Sequence, residues 1–206
     1  MRQSKVGLNE DINKDRKVLL MIPHSDDELI ALMSIMDRHP NKDNVFLITL
    51  VNEPIMQNLI NGEKPELVYG TNQINQVISS FGIKKENCFR VHKAQDLMHH
   101  CFNIISLINP SEVYCPSRKD THYDHQVLRN ISLKVRELTK FNYKIYSYLI
   151  HLNPSVQRPV PDYTINLTEE EQNHKEKLRE SIYGGKADVP VFLKERFGER
   201  EEFYEE

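Results

Sequence analysis

Residues 18–22 read Val-Leu-Leu-Met-Ile, five apolar side chains in a row, stopped by Pro23 and a polar cluster. Such a run is too short for a buried helix and suits a strand. A strand that is apolar at every position must be covered on both faces, as in parallel sheets flanked by helices. Segments 17–23 and 45–51 share this pattern, 88–92 and 112–116 are shorter versions, and the aromatic, β-branched stretch 143–150 predicts a further strand.

Helical spacing fills the gaps. Leu29, Leu32, Met33 and Met36 follow the i, i+3, i+4, i+7 pattern, as do Leu97, Cys101, Ile104, Ile105 and Ile108, then Val127, Leu128, Ile131, Val135 and Leu138. A more polar helix is predicted over 65–81, with Gly82 as its C-cap. Thr168 and Glu171 make a capping box before a helix over 169–183. Strands alternating with helices imply βαβ units and an α/β fold, a mainly parallel sheet between two helical layers. The expected organisation is a polar N-terminal segment, 1–16, and a single domain over 17–206. The proline-containing stretch 151–161 predicts a loop. The charged stretch 189–206 is expected to be anchored by Phe192, Leu193, Phe197 and Phe203.

A chain of 206 residues is long enough for one domain that buries about 70% of its unfolded surface. Its net charge of -3 and lack of a basic stretch argue against nucleic-acid and anionic-membrane partners. No run approaches the roughly 18 apolar residues of a membrane span, and 1–16 has no apolar core of a secretory signal. Cys88, Cys101 and Cys115 are odd in number, widely spaced and set in apolar segments, so buried free thiols in a cytoplasmic protein are expected. A homo-oligomer is compatible with this composition.

Two polar clusters stand where strands hand over to helices: Pro23-His24-Ser25-Asp26-Asp27-Glu28 and Asp120-Thr121-His122-Tyr123-Asp124-His125. Ligands of open parallel sheets bind beyond the carboxyl ends of the strands, so both clusters are expected at one sheet edge. His24 and Asp27 are three apart, as are His122 and His125. A set of His24, Asp27 and His125 gives a dication three protein ligands and leaves positions open, the arrangement of catalytic zinc. Neighbouring carboxylates such as Asp26 and Asp27 both ionise beside such an ion. Taken singly, each group has a plainer reading: Asp26 and Asp27 as carboxylates complementing a helix dipole, His122 and His125 as loop residues. Their joint occurrence favours a site. Glu28 and Asp120 are left to hold the ligands or cap the following helices. Glu53 reads as a solvated loop carboxylate. The remaining histidines read as surface or core, His151 included, although it lies just past the last predicted sheet strand.

The two clusters resemble the motifs of the LmbE-like, or PIG-L, de-N-acetylases: Pro/Ala-His-x-Asp-Asp-Glu after the first strand, and His-x-Asp-His. Softer similarities are Thr49-Leu50-Val51-Asn52-Glu53, Phe81-Gly82-Ile83, the helix around 175–181 and Glu201-Glu202-Phe203-Tyr204. The resemblance covers about 17–206. It implies a Rossmann-like α/β/α fold and a divalent metal, zinc or else ferrous iron. It implies removal of an N-acetyl group from a small-molecule substrate, an amino sugar or its conjugate. By motif position, His24, Asp27 and His125 match the metal ligands and Asp26 the general base. His122 matches the oxyanion stabiliser and acid, and Asp124 the residue that orients His122. The chain departs from the family at Ile30-Ala31-Leu32-Met33, where glycines are usual, and at Tyr123, where Pro or Asn is more common. It departs again at 70–76, which carries neither the usual Arg nor the usual Glu. These departures keep open an amidase acting on a non-sugar amide. A non-enzymatic domain with a relict metal site is a weaker alternative, since the base position is kept.

Overall fold

The computed structural model describes residues 5–6, 14–50, 71–91, 97–153, 155–183 and 199–205. The strands are β1 (Lys5–Val6), β2 (Val18–Ile22), β3 (Val45–Leu50), β4 (Cys88–Val91), β5 (Glu112–Pro116), β6 (Lys144–Tyr148), β7 (Tyr163–Asn166) and β8 (Arg200–Glu205). The helices are α1 (Asp27–Ala31), α2 (Met33–Arg38), α3 (Thr71–Ser80), α4 (Leu97–Ile108), α5 (Tyr123–Thr139) and α6 (Glu169–Tyr183).

The strands form one sheet in the order β1-β7-β8-β6-β5-β2-β3-β4. Neighbours are parallel except at β8, which runs against both β6 and β7. The chain winds outward from β2 through β3 to β4, then returns to lay β5 on the other side of β2. Strand order therefore reverses between β2 and β5, and the crevice beyond their carboxyl ends is where such sheets take ligands.

Alternate residues of β2 serve the two faces, as the period of a strand requires. Val18, Leu20 and Ile22 pack in a cluster with residues of α1, α2, α3 and α6. Leu19 and Met21 pack in a second cluster with Leu97, Cys101, Ile105 and Ile108 of α4 and Leu128 and Val135 of α5. The expected three layers are present. Gly82, at φ 71°, ends α3 as expected, with the Ile83 amide returning to the Ile78 carbonyl at 2.9 Å. The capping box before α6 is formed, Thr168 N–H to Glu171 Oε2 at 2.7 Å and Glu171 N–H to Thr168 Oγ1 at 3.2 Å.

Three expectations change. Lys5–Val6 pairs with β7, so the polar N-terminal segment contributes an edge strand and the sheet begins before residue 17. β8 adds a strand within the charged stretch 189–206, and β7 follows the expected loop, whose described residues 151–153 and 155–161 carry neither helix nor strand. Of the cysteines, Cys101 and Cys115 are buried, but Cys88 is only partly buried; all three are free. Segments 51–70 and 184–198, with Glu53, Phe192, Leu193 and Phe197, lie outside the described residues. No helix among the described residues is long and apolar enough to cross a membrane.

The helix expected through Leu29–Met36 is split at Leu32, and the cause lies far away in sequence. In an unbroken helix the Ser34 amide would bond to the Ile30 carbonyl. Instead Ser34 N–H donates to Glu201 Oε2 at 3.0 Å, and the Ile30 carbonyl accepts from Lys175 Nζ at 2.9 Å. Lys175 Nζ and Glu201 Oε1 are themselves 3.1 Å apart, with both side chains fully buried. The ion pair from α6 and β8 has inserted into the helical ladder, a recognised cause of a helix break. Removing one partner of a buried pair leaves the other charge uncompensated. Glu201→Ala is expected to cost about 3–5 kcal/mol, measured as a lower urea midpoint with unchanged slope. A loss below 1 kcal/mol would show that the pair does not hold the break.

Candidate metal centre

Both polar clusters arrive at the switch point, the first directly after β2 and the second from the loop after β5 into the first turn of α5. Their donor atoms converge. His24 Nδ1 lies 3.2 Å from His125 Nε2 and 3.5 Å from Asp27 Oδ2, and His125 Nε2 lies 3.2 Å from the same oxygen. Four ligands arranged tetrahedrally at about 2.0–2.1 Å from zinc stand about 3.3–3.4 Å from one another. The three donors therefore already stand at the separations a tetrahedral ion needs, with one corner left open. His122 is close by, with a ring nitrogen within 4.8 Å of donors on His24 and His125.

The backs of the two imidazoles are also held. His24 Nε2 faces Asp124 Oδ2 at 3.1 Å, which leaves Nδ1 for the centre. His125 Nδ1 lies 3.0 Å from Asp120 Oδ2, which turns Nε2 to the centre. Carboxylates behind ligating imidazoles fix which nitrogen meets a metal. Asp120, left open by the sequence, is thus a support of His125 and more. It is buried, its Oδ1 accepts from the His122 amide at 3.0 Å, and its Oδ2 accepts from the Ile150 and His151 amides at 3.1 and 3.0 Å. One carboxylate ties the second cluster to the end of β6.

That tie brings in His151, expected at the surface or in the core. Its ring centroid is 5.0 Å from that of His125 and 5.3 Å from that of His122. Four imidazoles therefore share the crevice. Asp124, expected to orient His122, donates its backbone N–H to His122 Nδ1 at 3.3 Å and meets His24 with its carboxylate. A nitrogen that accepts cannot carry the proton, so neutral His122 holds its proton on Nε2.

The imidazoles and carboxylates of the site favour charge on one another. Burial works against charge on His24 and His125, yet the Asp27 carboxylate, with Asp124 behind His24 and Asp120 behind His125, raises both, His125 to about 10. Burial would raise Asp27, but the two imidazoles hold it well below the usual carboxylate range. Burial, with the neighbouring imidazoles, lowers His122, and burial chiefly lowers His151.

Asp26 is the residue under strain. It precedes α1 with φ 146° and ψ -25°, and its side chain makes no cap bond to that helix. A non-glycine residue held in such a region costs of order 1–3 kcal/mol and is kept where the surroundings impose it. Its amide donates to Glu28 Oε2 at 2.9 Å. Glu28 is buried, and burial pushes its carboxyl up to about 7 against the bonds it receives from Tyr183 and Asp26.

No known family profile matches the chain, and no curated protein does. Solved structures do. The A40926 pseudoaglycone deacetylase Dbv21 is 14% identical, with a TM-score of 0.61 over 92% of this chain and 96% of that one. The N,N'-diacetylchitobiose deacetylase of Pyrococcus horikoshii is 16% identical, with a TM-score of 0.61 over 94% and 85%. GalB, the 4-carboxy-2-hydroxymuconate hydratase of Pseudomonas putida, is 12% identical, with a TM-score of 0.52 over 92% and 95%. A fold that carries both deacetylases and a hydratase leaves the reaction to the site. What these likenesses establish is the architecture: the chain shares the mainly parallel α/β fold of these proteins, with its two polar clusters at the switch point of the sheet.

Proposed function

We propose that this protein is a metal-dependent hydrolase that removes an N-acetyl group from an amino sugar or its conjugate. The observation that supports it best is the meeting of His24 Nδ1, Asp27 Oδ2 and His125 Nε2 within 3.5 Å of one another beyond β2 and β5. These three residues would hold the ion, zinc or else ferrous iron. When bound, such an ion lowers the pKa of a water towards about 7 and polarises an amide carbonyl. Asp26 takes a proton from the attacking water as its oxygen bonds to the acetyl carbon. The Nε2–H of neutral His122 donates to the oxyanion that forms, so stabilisation there needs no imidazolium. The proton held by Asp26 passes to the amide nitrogen, the C–N bond breaks, and acetate and the free amine leave. Asp124 and Asp120 keep His24 and His125 turned to the centre.

The sugar assignment draws on the deacetylases that share the fold. A second reading, hydrolysis of a non-sugar amide, is favoured by 70–76, which offers neither Arg nor Glu to a glycoside. Zinc-loaded protein incubated with N-acetylglucosamine conjugates and with acetylated amines and amino acids separates the two. Acetate released from the sugar conjugates alone, and abolished by chelator, is expected. Release from the simple amides alone would move the assignment to the second reading, and release from neither would end the hydrolase reading.

A further inference from the structure

We propose that Glu28 and Tyr183 form a positioning clamp that holds Asp26 in its strained backbone conformation and so aims its carboxylate; this rests on the reading of Asp26 as the base. The Asp26 amide is held at 2.9 Å by Glu28 Oε2, and the other oxygen, Oε1, accepts the Tyr183 hydroxyl. Glu28 is 0% and Tyr183 8% exposed, so water does not compete for either bond.

A plain helix cap does not account for this. In a capping box the first residue's side chain returns a bond to the helix, and Asp26 makes none. A cap is also a local device, whereas Tyr183 is the last residue of α6, 155 positions from Glu28. The same helix reaches the same segment a second time through Lys175 on the Ile30 carbonyl. α6 therefore braces the first cluster from both ends of α1. Neither Glu28 nor Tyr183 need touch substrate; they act through the conformation of Asp26.

Two measurements test the clamp. In metal-loaded enzyme, Tyr183→Phe deletes the hydroxyl and keeps the ring. It is expected to lower kcat about tenfold, with KM and bound metal near wild type. With Asp26→Asn already in place, the same substitution is expected to change kcat less than about twofold, because its route to the reaction is gone. An equal fall in both backgrounds would overturn the inference. The second measurement needs no turnover. Glycine, with no Cβ, is less strained than aspartate at this backbone, so Asp26→Gly should be more favourable to stability while the clamp is intact. Its effect on the unfolding midpoint is expected to be about 2–4 °C more favourable in the wild type than in Tyr183→Phe. Equal shifts in the two backgrounds would dismiss the clamp. A wild type without deacetylase activity would defeat the proposed function instead, while the unfolding comparison still decided the clamp.

Discussion

Asp26→Asn is expected to lower kcat by about 10²–10⁴-fold, the usual worth of general base catalysis, while bound metal stays at the wild-type level. The substitution suits the position. Asparagine has the shape of the aspartate it replaces, and the contact with Glu28 is made by the backbone amide of residue 26. The variant therefore keeps the backbone and the Glu28 contact and removes the basic oxygen alone. Asp27, not Asp26, supplies the carboxylate that meets His24 and His125, so the ion should stay. Elemental analysis beside steady-state kinetics makes the check. Near-normal kcat would take the base role from Asp26. Loss of metal along with activity would instead make Asp26 a member of the ligand set.

The central strands and both clusters were legible because they depend on local pattern. The run 18–22 has to be a doubly covered strand whatever surrounds it, and β2 proved buried at every position. The far side of the sheet was not legible, for a physical reason. β8 reads Arg-Glu-Glu-Phe-Tyr-Glu, and a buried Glu201 in a strand is tolerable because Lys175 meets it there. No spacing within 200–205 announces that partner. The same pair breaks the helix at Leu32, where the apolar periodicity runs on undisturbed. At the site, residue types and spacing pointed to the first ring of donors. The second ring depends on how the loops fold together. Asp120 reaches the amides after β6 and carries His151 into the crevice, and Asp124 turns its carboxylate to a histidine 100 positions away. Asp120 could have been suspected as the one carboxylate of the second cluster without a role. Nothing local marks Tyr183.

His125→Ala is expected to bring bound metal from about one ion per chain to near none, the second large effect. His125 is fully buried between two carboxylates, Asp27 at 3.2 Å from Nε2 and Asp120 at 3.0 Å from Nδ1. Alanine removes a donor and leaves both negative groups facing an empty space. Loss of a supporting residue behind a ligand already costs 10–100-fold in metal affinity, and loss of the ligand itself should exceed that. His122→Ala gives the contrast. Its Nδ1 is engaged by the Asp124 amide, and Asp27 already completes the set of three, so metal should remain and kcat should fall. Circular dichroism on each variant separates a lost ion from a lost fold. The opposite pairing, metal kept in His125→Ala and lost in His122→Ala, would move the centre towards His24 and His122, whose rings are 4.5 Å apart. The oxyanion donor would then have to come from His151, the remaining imidazole beside them.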